Sequence, residues 1–422
     1  MSKIDINTAF NKSVFLLGAG ASYGTKENRV GCKMSSEMFK DLEEKIKNPE
    51  ENKLSEVEAE TFRFLISTLY YQNQWRSLDK NTDFSYTPNI EELALIIRRI
   101  KNRESYLPYP LTGNWADKLI QLESLYKKEN KETSLFNEIE YKLKSKFVPS
   151  WLTINERALN FLKPLVDIMS NQDLIEPIEF FTLNYDKTIE TFLQKEDVTP
   201  YCGFVSGEWK GTRIKDVDEK FDKLRLTKLH GSLDWVRLLT SDSVKEIDKL
   251  EKEEERDIDS THKPYIVFGH GTKTFSFDPF FDMVINFREK LTERPYIFAI
   301  GYSFFDPYIN NLLIEALNNN PYGKLFIINP NNFGLKDVEN HNIDLVNFIE
   351  KIQENSFYSE LPEFNRKKIN GTNRIIHLVS NGGKEYIGFD EFLYNYFNNN
   401  GNQFVELINK FETEREKEEN PF

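Results

Sequence analysis

Three short segments gather residue types that do chemistry: Gly18-Ala19-Gly20-Ala21-Ser22, Asn184-Tyr185-Asp186 and Leu229-His230-Gly231-Ser232. The first follows the apolar run Ser13–Leu17 (SVFLL), the pattern of a buried strand running into a tight turn. With no Cβ at Gly18 and Gly20, such a turn can bring backbone N–H groups close to a phosphate. Ser22 is placed to donate to a phosphate oxygen or to cap the next helix. The match to G-x-G-x-x-G is imperfect, because Tyr23 stands at the third glycine and Gly24 comes one place later. No acidic residue ends a second strand nearby to hold a ribose, and no Gly-Lys-Ser/Thr comes after the turn, which excludes a P-loop.

The second and third segments end the apolar runs Ile178–Leu183 (IEFFTL) and Leu224–Leu229 (LRLTKL). They therefore put an amide, a carboxylate and an imidazole at the carboxyl edge of a sheet, where open α/β sheets bind ligands. Asn184 suits a ribose hydroxyl or a positioned water; Asp186 either joins it or caps a helix starting at Lys187. His230, one of five histidines, suits acid–base work near neutral pH. Trp235 reads as core. A fourth segment, Gly301 to Asp306 (GYSFFD), comes after Tyr296–Ile300 and sets Gly301 and Ser303 to meet a phosphate or ribose. Asp306-Pro307 reads as a helix start, with Asp as cap and Pro at the first position. Asn329 comes after Leu325–Ile328 and either touches a ribose or makes a turn.

The elements that must position these groups alternate. Strand patterns at 13–17, 178–183, 224–229, Tyr265–Gly269, 296–300, 325–328 and Arg374–Val379 are mostly separated by helical ones. That alternation predicts an α/β fold, a mostly parallel sheet with helices on both faces. Ser35–Ile46 reads as a helix capped by Ser35 or Ser36. Glu60–Tyr71 carries Phe62, Leu65, Ile66 and Leu69 on one face, and Ile90–Ile100 has Asn89 as its cap. Residues from about 35 to 167 form a large helical insertion on the sheet core. Ser243–Asp259, with the run EKEEERD, reads as a solvated loop or helix. Phe389–Phe397 is helical; the catalytic domain spans residues 1–399, and 400–422 is a charged helical tail.

Hydrophobic residues make up 39% of the 422, and 34 Phe and 19 Tyr supply large core side chains. A net charge of -13 argues against direct binding to nucleic acid or an anionic membrane. The two cysteines, Cys32 and Cys202, form no CxxC pair and cannot build a thiolate zinc module, so no metal is expected. The start MSKIDINTAF lacks a signal-peptide pattern and no apolar run approaches a membrane span, so a cytoplasmic protein is expected.

Taken in order, GAGAS, TLNYD, LHGS and GYSFFD resemble the sirtuin-like (Sir2-like) NAD-binding family, and in particular its bacterial antiphage-defence NADase branch. The resemblance runs from about Val14 to Asn329, and the helical insertion matches least. It implies a Rossmann-like fold, NAD as substrate, and Asn184 and His230 as the catalytic pair. Gly18, Ala19, Gly20, Ser22, Asp186, Gly301, Ser303 and Asn329 become the NAD-pocket residues. Deacylases of that family carry a four-cysteine zinc module and a Pro-x-x-Arg cofactor loop; here Gly24–Ser36 has Arg29 but no proline. The resemblance thus implies NAD glycohydrolase chemistry in abortive infection. An NADase must be gated to spare its host, by homo-oligomerisation or by a partner such as a HerA-like ATPase or a nucleotide-sensing subunit. The competing readings are an NAD or ADP-ribose sensing module without turnover, and a protein deacylase or ADP-ribosyltransferase.

Overall fold

Ser13–Leu17 is buried at every position, as a strand covered on both faces must be. In the computed structural model it is the first of ten strands among the described residues: β1 (Ser13–Leu17), β2 (Ile178–Thr182), β3 (Phe204–Val205), β4 (Glu208–Trp209), β5 (Leu224–Lys228), β6 (Trp235–Arg237), β7 (Val244–Glu246), β8 (Tyr296–Ile300), β9 (Lys324–Ile328) and β10 (Ile375–His377). The structure describes residues 4–25, 27–78, 88–102, 114–129, 131–212, 223–238, 243–246, 264–268, 278–320, 322–329, 374–378 and 387–419. Among the described residues no helix is long and apolar enough to cross a membrane.

Six strands form one wholly parallel sheet in the order β10-β9-β8-β1-β2-β5. Numbered 1 to 6 along the chain, the strands of this sheet read 3-2-1-4-5-6 from the β5 edge, the Rossmann order. The strand order reverses between β1 and β8, and the crevice that opens at their carboxyl ends is where dinucleotides bind in this topology.

Alternate residues of the strands feed two cores. Phe15, Leu17, Phe180, Phe298 and Phe326 face one side, where they meet helices Ile6–Asn11 and Asn402–Glu419 and the helical segment Phe389–Phe397. Val14, Leu16, Phe181, Ile297 and Leu325 face the other, against helices Phe280–Glu293 and Pro307–Asn319. On the first side, Phe180, Phe15, Phe298 and Phe326 lie in register across four adjacent strands. Their ring centroids are 5.2, 5.1 and 4.5 Å apart in turn. Phe404 of the C-terminal helix closes over this row, 5.7 Å from Phe15 and 5.5 Å from Phe298. The C-terminal helix is thus packed into the main core through Phe404, Ile408 and Phe411.

Between β1 and β2 the chain builds a layer of helices, among them Ser35–Lys45, Glu56–Leu78, Ile90–Lys101, Trp115–Lys128 and Leu135–Tyr141. Phe62, Leu65, Ile66 and Leu69 form the buried stripe their spacing predicts. Asn89 caps Ile90–Lys101: Glu92 N donates to Asn89 Oδ1 (3.0 Å), and Asn89 N donates to Glu92 Oε2 (3.3 Å). Buried Glu140 receives Lys101 Nζ (2.5 Å) and Lys144 Nζ (3.0 Å). Burial pushes the Glu140 carboxyl up, but the two ammonium groups outweigh it and hold it at about 2.

Four expectations change. Ser35 is the first helical residue and not the cap; Met34 precedes the helix, with its N–H donating to Glu37 Oε2 (2.8 Å), and Ser35 Oγ accepts from Ile90 N (3.3 Å). The helix after Asp186 begins at Thr188 and not at Lys187. Residues 265–268 make no strand of the sheet: the segment is a strap across the His230 turn, with Val267 N donating to His230 O (2.9 Å) and Tyr265 N to Trp235 O (2.7 Å). Of Ser243–Asp259, Val244–Glu246 is a strand of a small antiparallel sheet, β3-β4-β7-β6, while 247–259 lie outside the described residues, as do Gly269 and Val379.

Both the aromatic row and the buried carboxylate can be tested. Phe298→Ala removes the centre of the row and should cost about 3–5 kcal/mol in denaturant unfolding, whereas Ile120→Ala, at an exposed site, should cost less than about 0.5 kcal/mol. Glu140 is depressed in the folded chain, so its stabilisation is complete above about pH 4.5 and is lost as pH falls towards 2. Acid titration of unfolding should show wild type losing stability across that window, with the slope reduced in Glu140→Gln.

Candidate functional site

The β1–β8 crevice is built by two turns that meet backbone to backbone. Gly18 N donates to Ile300 O (2.8 Å), Gly20 N to Gly301 O (2.9 Å) and Gly301 N to Ile328 O (2.8 Å). A Cβ on Gly20 would sit 2.7 Å from Gly301 Cα, and Gly301, at φ +60, would drive one to 2.3 Å from Ala21 N. The glycines therefore serve this close approach. The amides of Gly18, Gly20 and Ala21 are spent within the protein, Ala21 N on Gly18 O (2.9 Å). Beyond Gly18 the chain makes a single 3-10 turn, Ala19–Ser22, and not the long helix of a dinucleotide fingerprint.

On β2's end, Asn184 is pinned by its amide nitrogen. Nδ2 donates to Gly18 O (2.9 Å) and Ser22 Oγ (2.8 Å). A flipped amide would set its oxygen against the Gly18 carbonyl, so this network assigns the orientation. Both Nδ2 hydrogens are used, and the group left to meet a ligand is Oδ1, an acceptor. Ser22 Oγ donates to Asp186 Oδ1 (3.0 Å), which also accepts from Thr188 N (2.9 Å). Asp186 therefore meets the first amide of helix Thr188–Lys195 from one residue ahead of the N-cap, Lys187, and joins that helix start to Ser22.

On β5's end, His230 is buried, and its Nε2 lies 3.3 Å from Asp306 Oδ2. Asp306 divides its carboxylate: Oδ1 accepts from Tyr308 N (3.0 Å) and caps Pro307–Asn319, while Oδ2 faces the imidazole. Gly231, at φ +84, makes the turn after His230, where a Cβ would strike Tyr265 O at 2.1 Å. Tyr185 OH donates to Val267 O (2.9 Å), and its ring lies 6.1 Å from that of His230. Burial holds Tyr185 well above its usual range, so it stays neutral.

These groups line one cavity of about 430 Å³. Gly18, Ala19, Gly20, Ser22, Asn184, Asp186, His230, Gly301, Ser303 and Asn329 all reach it. Cys32 and Met34, just ahead of helix Ser35–Lys45, and Ser35, Asn89 and Glu91 of the helical layer line it as well. Burial, with Asp186 nearby, pushes the Cys32 thiol up to about 12, so it is no thiolate nucleophile at neutral pH. Trp235 is core, as expected.

Sequence reasoning missed two contributors. Asp306 was legible only as a cap, because its second oxygen faces a residue 76 positions away. The other is Lys228, the last residue of β5, which is buried; Nζ donates to Asp186 O (2.6 Å) and Glu190 Oε1 (2.6 Å). In LRLTKL it reads as an ordinary polar strand end.

A sequence profile described as the SIR2-like domain matches residues 178–348. No curated protein sequence matches the chain. Among solved structures, "Sir2 bound to acetylated peptide" is similar at a TM-score of 0.33 and 13% identity, covering 84% of this chain and 98% of that one. "Sir2-p53 peptide-NAD+" gives 0.31 and 13% over 84% and 98%. A mutant Sir2 homologue in complex with ADP ribose gives 0.31 and 14% over 86% and 100%. The matched span contains Asn184, Asp186, His230, Gly301, Ser303 and Asn329, and the glycine turn lies upstream of it.

Proposed function

We propose that the chain is an NAD glycohydrolase that cleaves NAD to nicotinamide and ADP-ribose. The observation that carries this reading is the convergence of the pinned acceptor Asn184 Oδ1 and of His230 on one crevice at the switch point of a parallel sheet. The SIR2-like domain match supports the choice of dinucleotide.

The chemistry suits so small a set of groups. The nicotinamide of NAD is already cationic, so when the C1′–N bond breaks it leaves with the electron pair as a neutral molecule. No general acid is needed, unlike the paired carboxylates of ordinary glycoside hydrolysis. What the reaction needs is support for an oxocarbenium-like ribose and a base for the incoming water. Asn184 Oδ1 accepts from a ribose hydroxyl or the water and holds it at C1′. His230 takes the proton, directly or through a ribose hydroxyl, and returns it to solvent. Asp306 fixes the ring and supports the imidazolium that forms. The diphosphate lies along the Gly18–Ser22 turn beside Gly301 and Ser303, with Asn329 towards the second ribose.

NAD depletion in abortive infection is part of this proposal, with activity released by homo-oligomerisation or by a partner such as a HerA-like ATPase or a nucleotide-sensing subunit. Purified chain with its activator should release nicotinamide from NAD. Asn184→Ala and His230→Ala should each lower kcat at least ~100-fold without loss of folding. NAD binding with no product under any activating condition would transfer the protein to the sensing class. Asp306→Asn keeps a good helix cap but removes the charge facing His230, and should lower kcat about 10- to 100-fold with a much smaller change in KM.

A further inference from the structure

Lys228 is a buried charge that the proposed chemistry does not use. It ends β5, two residues before His230, and its side chain crosses to the turn that carries Asn184. There Nζ donates to the Asp186 carbonyl and to Glu190 on helix Thr188–Lys195, both at 2.6 Å. Nearby Asp234 is held by Lys187 Nζ at 2.6 Å. Burial pushes the Lys228 ammonium down, but Glu190, Asp234 and Asp186 outweigh it and hold it above its ordinary value, so it is charged at neutral pH.

A buried ammonium is costly unless it is fully paired, and replacing such a pair with apolar residues is often neutral for stability. Stability alone therefore gives weak reason for an ion pair here. Its geometry gives a better one. Asp186 is a member of the hydrogen-bond chain that orients Asn184: its carboxylate takes Ser22 Oγ, and Ser22 Oγ takes Asn184 Nδ2. Main-chain bonding between the two loops, Leu229 N to Thr182 O and Leu233 N to Tyr185 O (2.9 and 3.1 Å), brackets Asn184 without holding Asp186.

We propose that Lys228 is a positioning residue that ties the turn carrying Asn184 to the turn carrying His230, fixing their separation through the Asp186 carbonyl. The inference rests on the hydrolase reading for its kinetic consequence, but not for its structural one. Hydrogen exchange and nicotinamide release by the full chain with its activator test it together. Lys228→Met/Glu190→Met removes both charges and should keep the thermal midpoint within about 4 °C of wild type. It should raise amide exchange in 183–187 about 10-fold, leave β1 and β8 protected, and lower kcat about 10- to 100-fold with KM for NAD within about twofold. Should that variant not fold, Lys228→Gln, one bond shorter and still a donor, should show the same local loss of protection.

A folded variant with wild-type protection at 183–187 and wild-type kcat overturns the proposal. So does loss of protection spread evenly over the chain, which would make Lys228 a stabiliser of the whole sheet. If wild type itself releases no nicotinamide while the variant still loses protection only at 183–187, the hydrolase reading falls and the positioning role stands.

Discussion

The contact between Gly20 N and Gly301 O, 2.9 Å long, joins the ends of the two strands at which the sheet reverses its order. Any side chain at either glycine would separate the two backbones. Their approach sets the Gly18 carbonyl and the Ser22 hydroxyl, which together leave Asn184 a single amide orientation. The acceptor offered to a ligand is thus a consequence of backbone packing beside it, and its direction costs nothing at the moment of reaction.

A second consequence is that polar groups in the crevice are bound to one another in series. Gly18 O, Asn184, Ser22, Asp186 and Lys228 form one chain of hydrogen bonds, and Asp306 links His230 to a helix N-terminus. Buried chains of this kind are expensive if any member is missing and rigid when complete. Rigidity is what the proposed reaction requires, since water and ribose must be held against each other while nicotinamide departs.

Much of the scaffold was legible from pattern. The buried runs at 13–17, 178–182, 296–300 and 324–328 are central parallel strands, and such strands read as unbroken apolar stretches. Asn89 and Asp306 announced two helix starts through cap chemistry that is local in sequence. Elements that depend on distant partners were not legible. β3, β4, β6 and β7 are two or three residues long, too short to show alternation, and exist because they pair with one another. The 265–268 strap is apolar enough to read as a strand, but its backbone bonds go to the His230 turn and Trp235. At the site, residue types at strand ends were readable, whereas Asp306 and Lys228 act through oxygen and nitrogen atoms whose partners only folding brings near.

The most direct measurement is the structure of the His230→Ala variant soaked with intact NAD. The dinucleotide should lie in the β1–β8 crevice, its diphosphate along the Gly18–Ser22 turn. A nicotinamide-ribose hydroxyl, or a water facing C1′, should donate to Asn184 Oδ1. NAD bound with that ribose away from Asn184, or a crevice that stays empty at saturating NAD while the fold is intact, would contradict this placement.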